Sequence, residues 1–370
     1  MSRLTKAFSF VLVIAAIVSL AGCAPAATPT QAPAPTQAQA PTQPPAPTQP
    51  PAPTKAAAPT QPPAPTQPPA PTTPPQVTQA NMTIGLAVHS DPAVDAFWAV
   101  VVKGAKDASA TYGITLKSGG NPDPKQQAQL IQNYVAAKVD GIVVSMANPD
   151  ALKDAIKSAT DAGIPVITIN SGEVKSKEFG ALVHVGQSEN VAGQGAGLQF
   201  NTAGVKHLIC VVHEEANIGL EDRCAGAKAT FKGGKFEEFS VASTGVKDVA
   251  GTLKAIQNKL TADKTIDGIL TLNTTIAIAA RDAAKAAGVN AKIATFDLSP
   301  DVLTALQNGE MLFAIDQQQY LQGYLPVVLL YLYKTNLNTV GGGLPVYTGP
   351  GFVTKDNAAA VIALSAKGTR

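Results

Sequence analysis

From Ile84 onward, short apolar runs alternate with stretches of helical spacing, and this alternation constrains the fold more than anything else in the chain. Strands are expected at 84–88, 114–117, 141–146, 165–169 and 181–186, with helices beginning near Phe97, Pro124, Pro149 and Asn190. A second series follows, with strands at 207–213, 236–242, 268–272, 292–296 and 312–316 and helices near 221–231, 247–261, 275–287 and 300–308. Short apolar runs joined by helices make parallel sheets covered on both faces, and two such series make two doubly wound α/β domains.

The chain ahead of these series has a different character. Residues 1–23 carry Arg3 and Lys6, an apolar segment from Ala7 to Leu20, and then Ala21-Gly22-Cys23, the charged, apolar and small-residue regions of an export signal. The apolar run falls short of the about 20 residues of a comfortable membrane span. The small pair before Cys23 resembles the lipobox of bacterial lipoproteins, which implies a lipid on Cys23 and an anchor at the outer face of the membrane. Residues 24–80 repeat Ala-Pro-Thr-Gln-Pro-Pro with almost no charge and no large apolar side chain. Such a segment cannot bury a core, and its prolines favour an extended polyproline tether.

Polar residues recur directly after the expected strands. They are His89-Ser90, Ser145 to Asn148 and Asn170-Ser171 in the first series, and His213-Glu214-Glu215, Asn273-Thr274 and Asp297 in the second. In open α/β sheets small molecules bind beyond the carboxyl ends of the strands. Asn, Asp and Ser also serve as turn and helix-capping residues, so each alone has a structural explanation. Six groups at one edge of two sheets point to a cleft whose partner is rich in hydroxyls. The first strand's turn adds Asp95 and the aromatic pair Phe97 and Trp98, which can serve as core or as one wall of that cleft.

Chemical signatures of other classes are missing from the sequence. There is no Gly-x-Gly-x-x-Gly after Val88, no Gly-Lys-Ser/Thr loop, no Gly-x-Ser-x-Gly elbow and no second His at helical spacing from His213. Neither a metal nor a cofactor is called for. With 28 basic and 26 acidic residues and no basic stripe, nucleic acid is not an expected partner. His184, inside a strand between apolar neighbours, reads as structural. Cys210 and Cys224 form an even pair, compatible with one disulfide in an exported protein or with two buried thiols.

The order of lipobox, tether, Ile84 to Val88 with Phe97-Trp98, Gly163 to Asn170, Asp222 to Gly226, Leu272-Asn273 and Thr295-Phe296-Asp297 resembles the ribose-type periplasmic sugar-binding proteins of ABC importers. The likeness covers essentially everything from Asn81 on. It implies two lobes, 81–187 plus 318–345 and 188–317 plus 346–370, joined by three crossings near 186–188, 316–318 and 344–348. It implies a monomer that binds a monosaccharide or small polyol and delivers it to a permease, with the membrane reached through the lipid alone and no enzyme activity. By position, the ligand set falls on His89, Asp95, Phe97, Trp98, Asn170, Arg223, Asn273, Asp297 and Gln317. Where ribose binders carry Ser or Thr, Asn and an Asp-Arg pair, this chain carries His89, Asp95 and Asn170-Ser171, which points away from ribose itself. Two alternatives stand beside this reading: a receptor for a nucleoside or furanosyl signal on the same fold, and a carbohydrate-modifying enzyme using Asp95 and Asp297 at a separation of roughly 5–10 Å.

Overall fold

The structure, a computed structural model, describes residues 81–370. The export signal, Cys23 and the 24–80 tether lie outside the described residues. The first series forms β1 (Thr83–Val88), α1 (Ala96–Tyr112), β2 (Thr115–Gly120), α2 (Pro124–Ala136), β3 (Gly141–Ser145), α3 (Pro149–Asp161), β4 (Val166–Ile169), the single turn α4 (Glu173–Ser176) and β5 (Val183–Gln187). The second forms α5 (Glu189–Thr202), β6 (His207–Val212), α6 (Ile218–Thr230), β7 (Lys235–Ser240), α7 (Val249–Ala262), β8 (Gly268–Thr271), α8 (Thr274–Ala287), β9 (Lys292–Phe296), α9 (Pro300–Gln307) and β10 (Phe313–Asp316). The chain then runs through α10 (Gln319–Asn336), β11 (Val346–Gly349), β12 (Gly351–Val353) and α11 (Ala358–Ala366).

These elements build two six-stranded sheets, ordered β11-β5-β4-β3-β1-β2 and β12-β10-β9-β8-β6-β7. Every pairing is parallel except β10 with β12. Helices on both faces bury the central strands almost throughout, while the edge strands β2 and β7 hold only partly buried and exposed positions. Helix starts follow from side chains that accept the first free N–H groups: Asp95, Asp123, Asn148, Asn217, Asp248, Asn273 and Ser299. Proline sits just inside α2, α3 and α9, where its fixed φ suits a first turn.

The chain changes lobe three times: at Ser188 between β5 and α5, at 317–318 between β10 and α10, and at Pro350 between β11 and β12. The third position corrects the sequence expectation. Val346–Gly349 pairs with β5 and so belongs to the first sheet, because the backbone stays extended up to Pro350 and turns only there. Two further differences concern helices. Helix α6 begins at Ile218, three residues earlier than expected, because Asn217 caps it. Helix α10 falls where no element was expected: its apolar run hides the helical period and Pro326 lies inside it.

In each lobe the helix that emerges from a crossing packs on a helix that reaches the cleft, and glycines set the spacing. A Cβ on Gly104 of α1 would overlap the Tyr320 carbonyl oxygen of α10, and one on Gly323 would overlap that of Val101. The second lobe repeats the arrangement, with Gly193 of α5 against the Arg223 carbonyl and Gly226 of α6 against that of Asn190. Backbone therefore touches backbone in both pairs. Cys210 of β6 and Cys224 of α6 are joined in a disulfide with Cα atoms 5.9 Å apart, which fixes α6 to its sheet. No helix among the described residues is long and apolar enough to cross a membrane.

Candidate functional site

A cleft with about 320 Å³ of empty space, part of it open to solvent, lies beyond the carboxyl ends of both sheets. The structure brings all nine sequence-predicted residues to its lining, His89, Asp95, Phe97, Trp98 and Asn170 from the first lobe and Arg223, Asn273, Asp297 and Gln317 from the second lobe and its crossing.

His89 follows β1. Its backbone N–H donates to Ser145 Oγ at 3.0 Å and its Nδ1 lies 2.7 Å from the same oxygen. That hold aims Nε2 across the cleft at Asn217 Nδ2 (3.4 Å) and Glu214 Oε2 (3.8 Å). Burial, reinforced by the Arg223 guanidinium, pushes the imidazole down to about 3. At neutral pH the ring is uncharged, so its approach to Glu214 is not an ion pair.

Asp95 caps α1, its Oδ1 accepting from the Phe97 N–H at 3.0 Å. Burial, followed by the charge of Glu214, pushes its carboxyl up to about 6. Phe97 and Trp98 meet edge to face with ring centroids 4.9 Å apart, and Trp98 meets His89 in the same way at 4.6 Å. Trp98 is 2% exposed and belongs to the first lobe's core while also lining the cleft, so the two sequence alternatives describe two faces of one ring.

On the opposite wall Arg223 is buried, and not the solvated surface residue its helix would permit. Its Nε and Nη2 donate to the two oxygens of Glu189 at 2.6 and 2.8 Å, Nη1 donates to the Leu272 carbonyl at 3.1 Å, and the guanidinium lies 4.4 Å from the Phe296 ring centroid. A bidentate pair of this kind locks the plane of the fork. Asn273 caps α8 through Oδ1, accepting from the Thr275 N–H at 2.8 Å.

Asn170 follows β4, Asp297 follows β9, and both have left-handed backbone, φ 63° and 71°. Non-glycine residues rarely sit there, Asn and Asp least reluctantly. Gln317, at the second crossing, joins them: its Nε2 donates to Asp297 Oδ1 at 2.6 Å and its Oε1 accepts from Asn170 Nδ2 at 3.2 Å. Burial pushes the Asp297 carboxyl up to about 7, against the pull of Arg223 and Gln317.

The lobes meet around this space. The Ile218 N–H donates to the Ala147 carbonyl at 3.0 Å, and Ser171 Oγ lies 3.3 Å from Asn217 Oδ1. Sequence reasoning missed Asn217, Leu220 and Glu189, and it noted Ser171, His213, Glu214 and Leu272 without placing them in the ligand set. A capping signal was present for Asn217 in the Asn-Ile-Gly-Leu run. Nothing in the sequence ties Glu189 to an arginine 34 positions away. His184 lies outside the cleft lining, its Nδ1 3.0 Å from Thr168 Oγ1. His207, Glu237 and Asp263 converge elsewhere, with Lys235 and Lys259 bonded to Glu237.

Two α/β lobes, three crossings and a polar cleft walled by aromatics between the strand ends define a two-lobed binding fold. Residues 84–336 match the family described as periplasmic binding protein domain, and the chain belongs to that family. A crystallised carbohydrate transporter from Acidothermus cellulolyticus 11B, in complex with myo-inositol, is 45% identical with a TM-score of 0.76 over 78% of this chain and 100% of that one. The ribose import binding protein RbsB of Haemophilus influenzae is 28% identical over 67% of this chain and 84% of its own length. The xylose/arabinose-binding protein XylF of Sulfolobus acidocaldarius is 25% identical over 60% of this chain, a match spanning 58% of that relative's length.

Proposed function

We propose that this chain is the substrate-binding protein of an ABC importer, and that it takes a monosaccharide or small cyclic polyol into the cleft and presents it to a permease. The observation that carries the reading is the convergence of nine side chains from both lobes on one small cleft. Aromatic faces there suit the C–H face of a ring, and Asp, Asn, Gln and Arg suit its hydroxyls. The 45% identical relative holding myo-inositol supports a cyclic polyol. Contacts from the second wall favour the closed form once ligand rests on the first, so ligand shifts the population toward the shape a permease would read. The chain acts outside the cytoplasm, held by a lipid on Cys23 and spaced by the 24–80 tether.

A panel of monosaccharides and cyclitols screened by thermal shift tests the ligand class, since a ligand at a hundredfold excess over Kd stabilises by about 2.7 kcal/mol. A panel without a single stabilising member overturns it. Cys23→Ser tests the anchor, and an unchanged mass with unchanged membrane association would count against it.

A further inference from the structure

The charge inventory of the cleft, taken on the reading that it holds a polyol, narrows the class of polyol. Among the described residues Arg223 is the one permanent cation in the lining, and Glu189 accepts from its Nε and Nη2, which makes that pair neutral. His89 and His213 are held uncharged by burial, at about 3 and about 4. Asp95, Glu214 and Asp297 remain, and among the described residues none of them has a Lys or Arg in salt-bridge contact, although Arg223 still draws on Asp297 from a distance. Their hydrogen bonds come from neutral donors: Phe97 N–H and Ser90 for Asp95, the Asn217 amide for Glu214 at 2.6 Å, and the Gln317 amide for Asp297. The three share one field, for Asp95 senses the charge of Glu214, and Asp297 senses first the attraction of Arg223 and then the repulsion of Glu189 and Asp95.

Burying Asp95 and Asp297, with the half-buried Glu214 beside Asp95, destabilises the empty protein whatever ligand arrives. A neutral polyol leaves that repulsion in place, and an anionic one adds to it. An ammonium group relieves it and offers three donors to acceptors of which two, Asp95 and Asp297, are already desolvated. This differs from an ordinary buried ion pair, where desolvation of both partners offsets the attraction, because here one side's desolvation is incurred beforehand.

We propose that the cleft is built for a polyol bearing an ammonium group, an aminocyclitol or an amino sugar, and that it rejects phosphorylated and carboxylated polyols.

Titration calorimetry on the full chain at neutral pH tests this with two matched sets of probes. One set is myo-inositol, the positional isomers of inosamine, and myo-inositol monophosphate; the other is D-glucose, D-glucosamine and D-glucuronate. The expected result is that, in at least one set, an amine binds about tenfold or more tighter than its neutral parent, while the anion gives no detectable heat. Glu214→Gln should shrink the ratio of amine to neutral affinity severalfold. A neutral parent that binds as tightly as every amine of its set overturns the proposal and leaves the polyol reading standing. If no member of either set binds, the polyol reading falls and this proposal falls with it.

Discussion

Asn170 and Asp297 occupy the same place in the two lobes: each follows the third strand of its sheet, each has left-handed backbone, and each is hydrogen-bonded to the one side chain of Gln317. The cleft's floor is thus a three-residue bridge that joins both lobes through a crossing. Because Asn shares the shape of Asp and tolerates left-handed φ, Asp297→Asn separates charge from backbone geometry. The variant should keep or raise its melting temperature, since a strained carboxyl is removed, and should lose at least about tenfold in ligand affinity. Asp297→Ala should lose stability as well, by about 1 kcal/mol or more, from the backbone alone. Unchanged affinity in Asp297→Asn would remove this carboxyl from the ligand set.

Glu189 neutralises Arg223 inside the second lobe. Glu189→Gln keeps the volume but strands a buried guanidinium, and breaking such a pair costs about 3–5 kcal/mol. Urea denaturation should show a lower midpoint with an unchanged slope. A loss under about 1 kcal/mol would mean that water or another carboxylate takes over the charge.

The glycine contacts separate packing from backbone freedom. Gly193→Ala drives a Cβ into the Arg223 carbonyl, so α5 and α6 must part and the guanidinium must move. Both stability and ligand affinity should fall, stability by about 1–3 kcal/mol. Gly288→Ala also strains a left-handed residue, but nothing lies within 4 Å of its new Cβ. It should lower stability without touching affinity. Equal affinity losses in the two variants would show that the first acts through the whole lobe.

Stability should fall as pH drops from 6 to 5. Burial pushes His89, His184 and His213 down to about 3, 4 and 4, whereas it pushes Asp95 and Asp297 up to about 6 and about 7. In this window unfolding lets the three imidazoles take up protons and the two carboxyls release theirs, so the unfolded chain gains about one net proton. A state that binds more protons is favoured by acid, by about 1.4 kcal/mol per pH unit for each. His184→Gln removes one of the three uptakes away from the cleft and should flatten the slope by about that amount. Denaturant midpoints at pH 5 and 6 decide it, and a slope that the variant leaves unchanged would refute the account.

Trp98 is the chain's single tryptophan and faces both core and cleft. Its emission should shift and saturate with ligand, because the ring loses whatever water shares the cleft with it. Trp98→Phe should retain part of the affinity and lose the signal, while Trp98→Ala should also destabilise by about 3–5 kcal/mol. Emission indifferent to a ligand that calorimetry detects would put the ring wholly in the core.

The alternation of apolar runs and helices made the two sheets legible, since each βα step is local and the cover of each strand is written beside it. The cleft-lining side chains were legible for a related reason: strand ends of a parallel sheet share one edge, so His89, Asn170, Asn273 and Asp297 could be grouped without knowing any distance. What escaped depends on tertiary partners. The Gln319–Asn336 helix is apolar on most sides because it is wedged between a sheet and α1, so its period is masked. The edge strands at 346–349 and 351–353 are too short to register, and only their pairing assigns them to different lobes. Glu189 looks like any acidic residue in a helix's first turn until Arg223 is folded against it.

The paired glycines give each lobe a lever. Helix α10 starts directly after the second crossing and lies backbone to backbone on α1, which carries Phe97 and Trp98; α5 starts directly after the first crossing and lies in the same way on α6, which carries Arg223. With no side chain between them to act as a cushion, a rotation at the fulcrum reaches the ligand-bearing tip without slack. On the binding proposed above, the converse would also hold, and a ring that drew Trp98 and Arg223 together would apply torque to the crossings. If the lobes close as proposed above, they would move as two stiff arms, and the crossings would be what evolution has to tune.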